Sequence, residues 1–386
     1  MRGKIYITIL FLAICGIISC GKDPVVKDTE HTLFMYMPWS SNLTSYLHRN
    51  IEDFETAIKK GVLKGNRVVV FFMSSPSKAA LFELKYNKGN CIRDTLKEYT
   101  SPVFTTANGI TSILNDVIDF APAKRYSMTI SCHGLGWLPV SSASRSTGQK
   151  NHWEYEGVPL TRFFGGTTSE YQTDITSLAQ GIANAGLKME YILFDDCYMS
   201  SIEVAYDLKN VTRYLIGCPT EVMAYGYPYT DIAQHLIGNI NYSGIRDGFI
   251  SFYNNYTIMP CGTIGVIDCS QIESLASVMK EINQIYTLDP ALRNDIQPMC
   301  GYFPVLFFDM GDYVAKLCPD NDLLSKFREQ LERTVPSAYK GHTSTYYSAS
   351  RGQIIINSYS GITISDPSTN PMAALKAETA WYKATH

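Results

Sequence analysis

From Thr32 onward the chain alternates short β-rich apolar runs with longer stretches whose apolar residues recur every three or four positions. The runs predict strands at 32–38, 67–73, 126–132, 189–195, 213–218 and 262–269. The longer stretches predict helices near 43–60, 110–120, 175–185, 200–208, 232–238 and 272–286. Segments such as Tyr191-Ile192-Leu193-Phe194 are apolar at every position, which suits a strand covered on both faces. The pattern therefore predicts an α/β fold, a largely parallel central sheet with helices on both sides. Between 138 and 173 periodicity disappears and Ser, Thr and Gly dominate, with basic residues at Arg145, Lys150 and Arg162. A loop of that length inside a compact domain usually carries function or is disordered. From about 289 no earlier pattern repeats. A helix at 323–335 and short β-like runs to 365 suggest a C-terminal extension of the core or a small subdomain.

Composition changes the picture mainly by exclusion. The 386 residues are 45% apolar and only 18% charged, so the chain folds rather than staying disordered. With 33 basic and 36 acidic side chains the net charge is −3, which argues against nucleic acid as a partner held by phosphate attraction. The first nineteen residues form a leader. Arg2 and Lys4 precede an uncharged stretch from Ile5 to Ser19, too short to cross a bilayer as a helix. Ile17-Ile18-Ser19-Cys20 resembles a bacterial lipobox, which implies lipid attachment at Cys20. Residues 20–31 are then a tether and the folded core runs over 32–288. The expected address is the cell envelope, with the exported chain lipid-anchored to a bacterial membrane, the outer one by preference. Beyond Cys15 and Cys20, eight cysteines remain and none forms C-x-x-C, which argues against zinc ribbons and thioredoxin chemistry. Cys132, Cys218 and Cys269 close β-like runs, where a thiol usually acts as a small buried hydrophobe.

Two strands run into reactive residues. One leads into His133-Gly134-Leu135-Gly136-Trp137 and the other into Asp195-Asp196-Cys197. Ligands of parallel α/β sheets bind at the carboxyl ends of strands, so both groups are expected in one crevice. Met199, Ile202, Ala205 and Leu208 recur about every three residues behind Cys197. That spacing predicts a helix carrying Cys197 on its first turn, where the helix dipole would stabilise a thiolate, with Asp196 as its cap. Other motifs fail. Ser75-Pro76-Ser77-Lys78 lacks the partners of a penicillin-binding acyl-enzyme, and no dinucleotide, phosphate-loop or H-E-x-x-H signature occurs.

Three segments together resemble the clostripain family of cysteine peptidases, whose fold is related to caspases and gingipains. They are Ser131 to Trp137, Phe194 to Met199 continuing through Glu203-Val204-Ala205-Tyr206, and Phe308-Asp309-Met310-Gly311-Asp312-Tyr313. The resemblance implies a caspase-like α/β/α sandwich and a cysteine endopeptidase acting through a thioester. Cys197 would be the nucleophile, His133 its proton carrier, and the N–H groups of Gly134 and Cys197 the oxyanion hole. Asp195 would receive the Arg or Lys side chain of a protein or peptide substrate. Relatives mature by cutting themselves between the two motifs, which makes Arg145, Lys150 and Arg162 candidate cleavage points. The chemistry requires no cofactor. A structural calcium is implied by resemblance only, since no D-x-[DN]-x-[DN]-G loop occurs. Two competing readings use the same crevice: a catalytically silent lipoprotein that binds peptides or adheres, and a Cys-His amidase acting on non-peptide or cell-wall amides.

Overall fold

The computed structural model of the chain describes residues 29–140, 165–257 and 259–386. Apolar strands supply its centre. β1 (His31–Met37) is buried at every position, and α1 (Thr44–Lys59) follows it, turning Leu47, Ile51, Phe54 and Ile58 inward. Next come β2 (Arg67–Ser75), β3 (Lys78–Asn87) and β4 (Asn90–Thr100), then α2 (Ala107–Phe120), which the Thr106 hydroxyl caps by accepting from the Gly109 N–H. The chain continues through β5 (Arg125–Ser131), α3 (Ile175–Asn184), β6 (Met189–Asp195), α4 (Ile202–Leu208) and β7 (Thr212–Gly217). It then forms α5 (Tyr229–Leu236), α6 (Tyr242–Asn254), β8 (Thr263–Asp268) and α7 (Ile272–Ile285). Beyond these lie β9 (Phe308–Asp309), α8 (Met310–Leu317), α9 (Asn321–Thr334), β10 (Gly341–His342), β11 (Thr345–Ser348), β12 (Gly352–Ile355), β13 (Thr363–Ile364) and α10 (Ala380–Thr385).

Nine strands form one sheet in the order β10-β8-β7-β6-β5-β1-β2-β3-β4. The five central strands, β7 to β2 in that order, pair in parallel. Both flanks are antiparallel, with β8 and β10 on one side and the β3–β4 hairpin on the other. Helices α1, α5 and α6 pack together as one group, while α2, α3, α4, α7, α9 and α10 pack in succession as another. This is the expected α/β architecture, with a parallel centre and antiparallel borders.

All six predicted strands occur, each within two residues of its expected ends. The hairpin of β3 and β4 is additional, and its turn, Lys88-Gly89, has both residues at positive φ. The loop around Pro76 merely joins β2 to β3. Helix α6 was also not predicted. Residues after 289 are tied to the core through strand pairing, β10 with β8, and through a bridge from Thr363 to Ser201, with side-chain hydrogen bonds beside them. Among the described residues no helix is long and apolar enough to cross a membrane. The predicted leader, the lipid site Cys20 and the candidate cleavage points Arg145, Lys150 and Arg162 lie outside the described residues.

Candidate active site

β5 and β6 are parallel neighbours with Ser131 in register with Asp195, so the residues that follow each strand leave the sheet side by side. The two turns are bound to each other. The Cys132 N–H donates to Asp196 Oδ1 at 2.6 Å. Gly134 lies flat against the Cys197 peptide: a Cβ there would collide with the Cys197 carbonyl oxygen and lie 2.9 Å from its nitrogen. Only glycine permits this approach. His133 and Cys197 are both fully buried. The His133 N–H donates to the Gly165 carbonyl at 3.3 Å, and its Nε2 meets Asn42 Oδ1 at 2.7 Å.

Cys197 is not on a helix, which corrects the expectation drawn from the apolar spacing. It occupies a turn, Tyr198 has φ +63°, and α4 begins only at Ile202, where the Ser201 hydroxyl accepts from the Val204 N–H at 3.4 Å. A left-handed residue cannot continue a right-handed helix, so the stripe through Met199 starts before the helix does. The cap of α4 is therefore Ser201 and not Asp196, which holds the His turn instead. A thiolate would draw support from another source, the Val222 N–H, which points at Cys197 Sγ from 3.3 Å.

The turn after Cys197 is braced from two directions. The Tyr198 N–H donates to the Thr220 carbonyl at 3.0 Å, and the Ser200 N–H to that of Cys218 at 3.2 Å. The Tyr198 ring stacks on Phe307, and its hydroxyl donates to Glu221 Oε1 at 2.7 Å. Burial pushes that phenol well above its ordinary pKa, so it stays a donor. Glu221 also accepts from Ser348 Oγ at 2.6 Å and from the Ala349 N–H at 3.0 Å, tying the C-terminal hairpin to the site. Gly136 takes φ +60° beside Phe307, and Trp137 packs inward, donating Nε1–H to Ser365 Oγ at 2.9 Å.

Asp195 turns to the opposite side of its strand from Asp196. Its carboxylate is buried and accepts from the Tyr227 N–H at 3.0 Å, the Tyr229 hydroxyl at 3.2 Å and Ser131 Oγ at 3.3 Å. Among the described residues no group of three or more His, Cys, Asp or Glu side chains could hold a metal ion.

A model of the clostripain family matches residues 35–297. The chain belongs to the clostripain family of cysteine peptidases. Iotapain, a secreted C11 cysteine protease from Bacteroides thetaiotaomicron, is 60% identical, with 93% of this chain and 100% of that one covered at a TM-score of 0.87. A clostripain from the same organism, solved in complex with the peptide inhibitor BTN-VLTK-AOMK, is 64% identical over 58% of this chain and 99% of that one, with a TM-score of 0.57. An inactive zymogen C11 protease from Parabacteroides distasonis shares the fold at 23% identity, 94% and 100% coverage and a TM-score of 0.76. No curated protein matches the chain.

For this clostripain-family chain, sequence reasoning missed Asn42, Glu221 and Val222. Glu221 left a signal, an acid inside the otherwise uncharged run from Leu215 to Tyr229. Asn42 follows the end of a third parallel strand and could have been sought there. Val222 acts through its backbone, and no residue type marks that.

Proposed function

We propose that the chain is an exported cysteine endopeptidase that cuts peptide bonds after Arg or Lys. The single observation carrying this reading is the seating of Gly134 on the Cys197 peptide, which brings the His and Cys turns together. In the proposed reaction the Cys197 thiol passes its proton to His133. Sulfur attacks the peptide carbonyl carbon, and the carbonyl electrons move to oxygen, where the N–H groups of Gly134 and Cys197 receive the charge. Each such donor is worth about 2.7–4 kcal/mol. Collapse expels the amine, which takes the proton from His133 and leaves a thioester. Water then attacks the thioester, giving its proton to His133, and release of the acid restores the thiol.

Asp195 is the proposed acceptor for the basic side chain. Its position two residues before Cys197 and its enclosed carboxylate support this, as does the lysine that ends the VLTK peptide in the 64% identical relative's inhibitor. The guanidinium or ammonium would enter beside the Tyr227 and Tyr229 donors already holding the carboxylate in place. The same reading includes self-processing within 138–173, at Arg145, Lys150 or Arg162. It also includes export and anchoring through Cys20 at the cell envelope, supported by the leader and by a relative described as secreted.

A panel of fluorogenic Arg, Lys and neutral peptides tests the whole. Wild type should hydrolyse the basic substrates and Cys197→Ala none of them. Asp195→Ala should lose about 2–5 kcal/mol of discrimination, the usual loss when one partner of a buried charge pair is removed. Equal rates on neutral and basic peptides would sink the specificity, and activity in Cys197→Ala would sink the nucleophile. The Cys197→Ala protein should also remain a single uncut band.

A further inference from the structure

We propose that Asn42 is a positioning residue for His133, so that the site operates as a Cys-His-Asn set rather than a pair. This rests on reading His133 as the proton carrier for Cys197. Asn42 Oδ1 lies 2.7 Å from His133 Nε2. An amide oxygen only accepts, so in the neutral ring Nε2 carries the hydrogen. The basic lone pair is then on Nδ1, the ring nitrogen buried inside the protein. One contact thus selects both the tautomer and the ring's rotation.

Its placement follows from strand order. Cys197, His133 and Asn42 follow the carboxyl ends of β6, β5 and β1, three consecutive strands of the parallel centre. The turn bearing Asn42 is firmly held. Leu43 is fully buried, the Ser41 carbonyl accepts from Thr44 Oγ1 at 3.0 Å, and Ser41 Oγ accepts from Thr167 Oγ1 at 3.3 Å. Ser41 has φ +57°, a conformation that costs a non-glycine residue energy and recurs at functional sites. There is also an electrostatic need. His133 is fully buried, and the imidazolium formed when it takes the thiol proton is disfavoured without water. A carbonyl dipole on the far nitrogen offsets that cost during the reaction, as the third member does in other thiol and serine peptidases. Asn42 itself is exposed, so replacing it leaves the core intact.

The test uses the processed full-length enzyme with a fluorogenic lysyl peptide, measuring kcat, KM, the pH profile of kcat/KM and the thermal midpoint for Asn42→Ala, Asn42→Asp and His133→Ala. Asn42→Ala should lower kcat about 10- to 100-fold, the size typical of losing a partner that orients a functional imidazole. Its KM should stay within about twofold and its thermal midpoint should not move. The acidic limb of the profile, below which His133 is already protonated and cannot take the thiol proton, should move down in Asn42→Ala and up in Asn42→Asp, whose carboxylate accepts the same hydrogen more strongly and restores most of the rate. Wild-type kcat and an unmoved limb in Asn42→Ala, beside a dead His133→Ala, overturn the role of Asn42 alone. So does a loss of rate that tracks a fallen thermal midpoint with no shift of the limb. Full activity in His133→Ala instead overturns the reading beneath it.

Discussion

A methyl group on Gly134 would occupy space already filled by the Cys197 carbonyl, so the His and Cys turns would have to separate. Both turns are anchored in strands that pair with each other, and neither can retreat cheaply. Gly134→Ala is therefore expected to lower kcat about 100-fold, the penalty of misplacing reacting groups by around an ångström. Overpacking should cost about 1–3 kcal/mol of stability. Burst titration of reactive thiol, run beside denaturant unfolding, separates the two effects; an active Gly134→Ala enzyme would show that the turns can part harmlessly. At this scale the sequence was informative where a side chain announces its chemistry. His133, Cys197 and Asp195 stand out because imidazole follows one apolar run and carboxylate and thiol together follow another. Val222 could not stand out, because its backbone N–H, not its isopropyl group, faces the sulfur.

The elements that sequence periodicity revealed are those buried on both faces. β1, β2 and β6 are almost uninterrupted apolar runs, and the structure buries nearly all of each. β4 escaped because it is an edge strand: Arg93, Asp94, Lys97 and Glu98 interrupt it, the charges that keep such an edge from pairing with another molecule. α4 was placed too early because the spacing from Met199 onward is helical, and nothing in residue type alone discloses the left-handed Tyr198.

α4 also carries a titration. Glu203 is buried, accepting from Ser201 Oγ at 2.6 Å and from the Ser365 N–H at 2.7 Å. Burial, with Asp366 nearby, pushes its pKa up from 4.5 to about 7. In the unfolded chain the group ionises near its ordinary value, so between these limits the folded state holds a proton that the unfolded state has lost. Its contribution is complete below about pH 4.5 and falls away as the pH rises through 7, at about 1.4 kcal/mol per unit. Glu203→Gln keeps an acceptor for Ser365 and cannot ionise, so its stability should vary less across pH 5–7 in urea titrations. Identical slopes in the two proteins would rule Glu203 out as the source.

Across the whole molecule the covalent path and the sheet divide differently. The chain joins β5 to β6 through the 138–173 segment, yet those strands are hydrogen-bonded neighbours in the middle of the sheet. A cut in that segment would leave β1 to β5 on one polypeptide and β6 onward on the other, with the seam inside the core. The two pieces should elute together on native size exclusion and separate only in denaturant. Pieces that part in buffer would show that the seam cannot hold without the peptide bond.

Gly165 is bridged to His133, so whatever chain end a cut creates downstream is leashed at the imidazole's own backbone. The leash length depends on the bond broken. After Arg162 only Phe163 and Phe164 precede the clamp, a reach of about 7 Å, whereas after Arg145 nineteen residues would hang from it and sweep about 65 Å. The first cut would confine the new amino terminus close to His133, and the second would not.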